Sequence, residues 1–227
     1  MSGLGCKDSW TRNTRQSTVQ DSSNQDAKPT SEEQLRQVHV GGLKRHDAPI
    51  TLVEYDPAWP TLYSREAQRI RAALGPRALQ VEHIGSTSVP GLIAKPIIDI
   101  LLVVADSSNE ASYVPDLEKS GYVLRIREPE WHQHRLLKGP DTNINLHVFT
   151  AGSEEIQRVL LLRDWLRNDQ DDRELYAETK RKLAGQKWKY VQHYADAKSK
   201  VVETIILHAR AGNKAGSGKA PQPSLNV

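Results

Sequence analysis

The sequence predicts an α+β domain in which a mixed β-sheet is flanked by helices and followed by a helical C-terminal segment. Three observations carry that expectation. Ile97 to Val104 is an almost continuous apolar run, the pattern of a strand covered on both faces and so interior to a sheet. Tyr122 to Arg127, His132 to Lys138 and Asn143 to Phe149 are further strand candidates, the last two joined as a hairpin by the turn formers Gly139-Pro140-Asp141-Thr142. From Ser153 onward the apolar period becomes that of helices.

The elements follow in order. Ile50 to Glu54 reads as a short strand, and Pro57 sits where the first turn of a helix tolerates a missing N–H. Leu62, Ala67, Ile70, Ala73 and Leu74 recur at helical spacing up to Gly75, a natural stop. Ala78 to Ile84 is a strand, Ile97 to Val104 a longer one, and Tyr113 to Lys119 a short helix despite Pro115. Ser153 is placed to cap a helix running through Ile156, Leu160, Leu161 and Trp165, with Glu154 and Glu155 favourable in its first turn. A second helix spans about Asp171 to Leu183, ending at Gly185. A third spans about Gln192 to Ala209, with a stripe of Tyr194, Ala197, Val201, Val202, Ile205 and Ile206.

Residues 1–37 are rich in Ser, Gln, Asn, Asp and Thr, and residues 212–227 in Gly, Lys, Ala, Pro and Ser. Such segments bury too little apolar surface to offset the entropy of ordering, so both read as disordered tails around one folded unit at 38–211. A chain of 227 residues holds one such domain comfortably. The net charge of +3 comes from interleaved acidic and basic residues and makes no strong case for nucleic acid as a partner. The lone Cys6 excludes a disulfide framework and a cysteine metal site. Arg12 and Arg15 have the look of a mitochondrial presequence, but Asp8 and Asp21 interrupt it. No apolar run approaches the roughly 20 residues of a membrane span, so the expectation is a cytoplasmic protein with no membrane partner.

Asp99 is the residue that asks for an explanation. It sits among Ile97, Ile98, Ile100 and Leu101, where an unpaired carboxylate must find a partner or neutralise. An ion pair with Lys95 or an arginine is the plain answer; a metal or a ligand-lined mouth of the sheet is the functional one. Upstream, a strand ends in Gly85-Ser86. Glycine lets a phosphate approach the backbone and serine offers donors to it, although an isolated Gly-Ser is usually a turn with a helix cap. Thr87, Ser88 and Gly91 extend the donor-rich loop, Pro90 and Pro96 stiffen it, and Lys95 follows.

The histidines form another group. His132 and His134 lie two apart on one strand candidate and face the same way, with His147 on the hairpin partner. Three imidazoles, or two with Asp99, suit a transition metal or proton donation; hydrogen-bonded sheet histidines are the plain alternative. His83 and Glu82 point to opposite faces, and either is placed to reach a pocket mouth. Arg163, among Leu160, Leu161, Leu162 and Trp165, is a snorkelling residue or a phosphate clamp. Tyr194 and Lys198, one helical turn apart, are an ordinary surface pair or a hydroxyl and ammonium presented together. Trp131 and Trp188 read as packing residues.

With these residues in place, the chain resembles the GrpB family, a group placed in the nucleotidyltransferase superfamily, whose wider fold is like that of DNA polymerase beta. The resemblance runs from about Val53 to about Ala209. It rests on Glu82-His83-Ile84-Gly85-Ser86-Thr87-Ser88-Val89-Pro90-Gly91-Leu92, Ala94-Lys95-Pro96-Ile97-Ile98-Asp99, His134-Arg135-Leu136, Leu146-His147-Val148, Arg163-Asp164-Trp165-Leu166, and Tyr194 with Ala197-Lys198. Ser199-Lys200 departs from the pattern.

The resemblance implies a nucleotidyltransferase-like sheet. It implies a nucleotide or other phosphorylated ligand on Gly85, Ser86, Thr87, Ser88, Lys95, Arg163, Tyr194 and Lys198, with His83, His134 and Arg135 as further pocket residues. Asp99 would hold magnesium, and Asp99 and His147 would occupy catalytic positions. A second carboxylate is expected where Leu101 stands, which counts against two-metal nucleotidyl transfer. The alternative is a binding module without turnover for a phosphorylated metabolite or coenzyme A-related ligand, because related domains look like those joined to dephospho-coenzyme A kinases. No kinase-type Gly-Lys-Ser/Thr phosphate loop occurs in the chain.

Overall fold

The computed structural model describes residues 29–216. The strands are β1 (Gln80–Ile84), β2 (Ile98–Val104), β3 (Val123–Glu128), β4 (His134–Lys138) and β5 (Ile144–Thr150), and they form one sheet in the order β1-β2-β5-β4-β3. β2 and β5 run parallel, while the other pairs are antiparallel. This is the α+β class with a mixed sheet that the sequence predicts. The apolar run of β2 lies between β1 and β5, covered on both faces as its composition requires.

Strand side chains alternate, so the sheet has two distinct faces. On one, Val81, Ile98, Ile100, Leu102, Leu146 and Val148 pack against α2 (Trp59–Leu74) and α3 (Val114–Lys119) in the main core. On the other, Ile84, Leu101, Val103 and Phe149 meet Ile156 of α4 (Glu154–Asn168). The remainder of this second face carries polar groups. Asp99 pairs in register with Ile84 and Asn145, and Asn145 with Lys138, giving a polar row across three strands.

The helical end departs from the expected single third helix. After α5 (Gln170–Ala184), α6 (Val191–Ala197) and α7 (Ser199–Gly216) are separate. The stripe that suggests one helix serves two packing sites: Tyr194 joins Ile50 and Ala184, whereas Ile205 with Val201 and Val202 joins Leu166, Tyr176 and Ala177. Two axes satisfy both sites where one would not.

Other expectations are corrected locally. Ile50 to Glu54 forms a single bridge, Val53 to Ala94, rather than a strand. Its partner loop is bounded by Pro90 and Pro96, and prolines cannot continue a ladder. Ser153 precedes α4, but its hydroxyl is buried without a hydrogen-bond partner and makes no cap bond. His132 lies in a turn with φ of 50° and is exposed, so it does not share a strand face with His134. The tail assigned to residues 1–37 contains α1 (Glu32–Val38), fixed by a reciprocal capping box between Ser31 and Gln34 and by burial of Leu35. α7 likewise continues past residue 212. Residues 1–28, with Cys6, and 217–227 of the predicted tails lie outside the described residues. Among the described residues no helix is long and apolar enough to cross a membrane.

Candidate functional site

The polar row of the second sheet face opens into a cavity of about 920 Å³. Its floor is Asp99, Asn145, His147 and Lys138; one wall is the loop Gly85-Ser86-Thr87 with Lys95; α5 and α6 bring Lys180, Tyr194 and Lys198 over it. A volume of this size holds a nucleotide-sized molecule.

Gly85 takes φ 68° and ψ −174°, a conformation open in practice only to glycine, and it turns the chain from β1 into a 3-10 turn at Ser86–Ser88. A β-carbon there would collide with Asp99 Oδ2 and stand 3.0 Å from Asp99 Cβ. The same turn is closed by Ser88, whose Oγ donates to the Gly85 carbonyl at 2.6 Å. Thr87 donates to the Ile97 carbonyl at 3.2 Å and meets His83 Nε2 at 3.0 Å.

Asp99 accepts a hydrogen bond from Asn145 Nδ2 at 2.7 Å, and its Oδ1 lies 3.5 Å from His147 Nε2. Among the described residues no lysine or arginine forms a direct ion pair with it, so the plain pairing with Lys95 is not made. Burial pushes its carboxyl upward, but the bond and charge of His147, the bond from Asn145 and the charge of Lys95 outweigh this and hold it below the ordinary carboxylate range. Leu101, where a second metal-binding carboxylate is expected, is fully buried with Ile84, Val103, Phe149 and Ile156.

His147 is the inner member of a hydrogen-bonded series. Its Nδ1 lies 3.0 Å from His134 Nε2, and His134 Nδ1 lies 2.6 Å from Glu128 Oε2. Glu128, as a carboxylate, only accepts, so His134 carries its proton on Nδ1. Burial lowers the His134 pKa to about 4 against the pull of Glu128, keeping the ring neutral at pH 7. His134 Nε2 then accepts and His147 donates from Nδ1, which leaves His147 Nε2 facing Asp99 Oδ1.

Four lysines surround these groups. Burial first, then Lys198 and Arg181, lowers Lys180 to about 7; burial and Lys198, against the pull of Asp99, lower Lys95 to about 8. Burial also lowers Lys138, which donates to Asn145 Oδ1 at 2.5 Å. Lys180 is almost wholly buried and donates to Ser86 Oγ at 3.1 Å and to the Ile93 carbonyl. Lys95 and Lys198 both lie over the Tyr194 ring, 5.5 and 4.7 Å from its centre. The Tyr194 hydroxyl is buried without a partner rather than presented beside Lys198. Among the described residues none of these four ammonium groups has a carboxylate within ion-pair distance.

Of the residues singled out from the sequence, Gly85, Ser86, Thr87, Lys95, Asp99, His147, Arg163, Tyr194 and Lys198 line the cavity. Four others do not. His83 stacks on Tyr63 on the opposite face, 4.8 Å between centres, with burial lowering it to about 4. Arg135 binds Glu110 at 2.6 Å and the Gln133 carbonyl, Ser88 closes its turn, and His134 acts through His147. Arg163 reaches the wall, yet its guanidinium is held by Glu82 at 2.9 Å, Asp164 at 2.7 Å and the His83 carbonyl at 3.1 Å, so it braces α4 against β1. Trp131 packs edge-on against His134 and Phe149 at the rim, with part of its surface exposed.

Lys180, Lys138 and Asn145 belong to the site without having been singled out from the sequence. Lys180 carried a signal, since it falls with Tyr176, Ala177 and Ala184 on the buried stripe of α5. Its neighbours Arg181 and Lys182 disguise it as part of a solvated basic run.

Fold and cavity together define a mixed-sheet α+β domain with a cationic cleft at the ends of β1 and β2. The chain belongs to the GrpB family, described as GrpB protein, which matches residues 49–207. A UPF0157 protein of Halalkalibacterium halodurans is 63% identical over 193 residues, covering 85% of this chain and 98% of that protein. A dephospho-CoA kinase of Mycolicibacterium paratuberculosis is 32% identical over 160 residues, covering 59% of this chain and 39% of the kinase. The crystal structure of a conserved GrpB protein from Enterococcus faecalis aligns with a TM-score of 0.62 at 30% identity, covering 72% of this chain and 99% of the other. Cid1 poly(U) polymerase with MgGTP bound aligns at a TM-score of 0.41 and 12% identity, covering 57% of this chain and 43% of the polymerase.

Proposed function

We propose that the cleft binds a nucleotide or another phosphorylated ligand, with the phosphates against Ser86, Lys180, Lys95 and Lys198. The observation that carries this reading is the Lys180 ammonium, buried against Ser86 with no carboxylate among the described residues to balance it. A buried cation without a counterion is costly, and an arriving phosphate would supply the missing charge with charge-assisted hydrogen bonds. The exposed face of Trp131 at the rim favours a ligand with an aromatic base, because stacking on an indole contributes about 1–3 kcal/mol.

Isothermal titration with ATP, GTP, CTP and UTP tests the reading. Binding of one or more, weakened at least tenfold by Lys180→Met with the fold retained by circular dichroism, is the expected result. Heat absent for all four, or affinity indifferent to Lys180, would overturn it.

A second reading is a binding module for a coenzyme A-related ligand without turnover. It is favoured by the single carboxylate on the floor and by the likeness to part of a protein named as a dephospho-CoA kinase. Dephospho-coenzyme A competing with ATP for the cleft, with no triphosphate consumed, would select it.

A further inference from the structure

Arg125 is a cavity cation that stands apart from the phosphate contacts at Ser86 and Lys180. It is the extra residue of a bulge in edge strand β3, where the pairing with β4 steps from Leu124–Leu137 to Ile126–Leu136. Neighbours in a regular strand face opposite ways, yet Arg125 and Ile126 both line the cavity. A bulge re-aims side chains in this manner, and bulges are frequent beside binding sites. The chain ahead of residue 49 fixes this one: Val40 N donates to the Arg125 carbonyl at 2.8 Å, and His39 bridges to Ile126. Gly41 passes close to the guanidinium, since a β-carbon there would stand 3.3 Å from Arg125 Nη1.

The charge of Arg125 is unanswered. Arg127 and Arg135, beside it on β3 and β4, both bind Glu110, and Arg163, the other arginine on the cavity wall, is held by Glu82 and Asp164. Among the described residues no carboxylate or carbonyl binds the Arg125 guanidinium. Its company is cationic. Burial, and after it the charge of Arg125 against the pull of Asp99, lowers Lys138, and Lys44 lines the same cavity. The carboxylates on the wall are Asp99 and Glu155, and Glu155 is bound to Arg158. A guanidinium facing a cavity without a carboxylate suits a phosphate, whose oxygens accept two parallel N–H bonds. Distance separates this place from the first: Asp99, Asn145 and Lys138 pair in register across β2, β5 and β4, with β3 next. At about 4.8 Å per strand, the Arg125 backbone stands roughly 14 Å across the sheet from Asp99, and Ser86 follows β1 on the far side of β2. One phosphate group cannot touch both.

We propose that Arg125, with Lys138 and Lys44, forms a second phosphate subsite in the cleft. It deepens the phosphate-binding reading and rests on it for the first subsite. The second phosphate belongs either to the far end of one ligand or to a separate phosphorylated molecule, and the same chemistry recognises both.

Calorimetry on the full chain with inorganic pyrophosphate, 5′-AMP and adenosine 3′,5′-bisphosphate tests it. Pyrophosphate is expected to occupy two sites per chain, one lost in Arg125→Met and the other in Lys180→Met; Arg125→Lys, which keeps the charge, should retain part of the first. If one ligand carries both phosphates, the bisphosphate binds at least tenfold more tightly than AMP, and Arg125→Met erases that preference without changing AMP affinity. If two molecules carry them, AMP and the bisphosphate bind equally, and pyrophosphate still reaches the Arg125 subsite of the AMP-saturated protein. The pyrophosphate stoichiometry is read on the unaltered protein, so the test survives a variant that fails to fold. A single pyrophosphate site that needs Lys180, or two sites indifferent to Arg125, overturns the second subsite and leaves the phosphate reading standing. A single site that needs Arg125 and ignores Lys180 upholds the second subsite and removes the first, and no binding of any probe overturns both.

Discussion

Gly85 lies directly against the carboxylate of Asp99, leaving no room for a β-carbon between the end of β1 and β2. The two residues are coupled twice, because the positive φ at Gly85 also sets the direction of the Ser86 loop. Gly85→Ala should therefore destabilise the protein by about 1–3 kcal/mol from backbone strain, with the collision against Asp99 in addition. At roughly 2–4 °C per kcal/mol for a chain of this size, the loss is readable in a thermal melt. Asp99→Ala in the same chain should return part of it. Strictly additive melting shifts for the two changes would show that the residues are not coupled.

Lys180 gives the folding equilibrium a pH dependence of known sign. Its folded pKa of about 7 lies below the usual lysine value near 10.4, so between those limits the unfolded chain binds more protons and stability rises with pH. The liability is fully present below about pH 7 and fades above it. Urea unfolding from pH 7 to 10 should show that rise, and Lys180→Met should flatten it, with residual slope from Lys95. Tripolyphosphate binding at pH 8 should draw protons onto the protein, detected as a buffer-dependent heat. A slope unchanged in Lys180→Met would rule out this assignment.

His83 acts at the acid end. Buried against Tyr63 and lowered to about 4, it stays neutral while the unfolded chain's histidine titrates near 6.5. The unfolded state therefore takes the extra proton as pH falls, and stability is lost between about 6.5 and 4. His83→Gln removes that titration and keeps a partner for Thr87. Its melting temperature should fall less steeply than the unaltered protein's from pH 6.5 to 4.5; parallel profiles would refute the role.

What could be read ahead of the structure follows from which residues announce themselves. The apolar run of β2 with one carboxylate, the Gly85-Ser86 turn and the hairpin of β4 and β5 through Gly139-Pro140-Asp141-Thr142 all break or obey a local pattern, and each was legible. The rest depends on register and on distant packing. His132 and His134 share a strand parity on paper, but the left-handed turn at His132 and Gln133 removes the first from the sheet. Lys180 and Lys138 look like surface charges until α5 and β4 are placed over Asp99. Ser31 and Gln34 encode a helix in an otherwise polar segment, a signal of three residues' spacing that bulk composition hides.

That helix begins a strap along the cavity. Residues 30–48 precede the family match, which spans 49–207, yet Leu35, His39, Val40, Leu43, Lys44 and His46 form one wall of the cavity. Polar bonds fasten the strap at its start, its middle and near its end, where His46 N donates to the Lys189 carbonyl at 2.9 Å. Val40 N donates to the Arg125 carbonyl on edge strand β3 at 2.8 Å, and Thr30 N donates to Asp196 of α6 at 2.9 Å. Leu35 is its one buried helical anchor. Local segments with few buried apolar groups open independently of the core, so Leu35→Ala should loosen the strap without unfolding the sheet. A cost of about 2–5 kcal/mol for removing a buried leucine, borne locally, corresponds to more than tenfold faster amide exchange. Exchange at Val40 should accelerate by at least that factor while β2 amides keep their protection, and ATP should dissociate faster from the variant. If Val40 and Ile100 accelerate together, the strap and the sheet open as one unit and the wall is no gate.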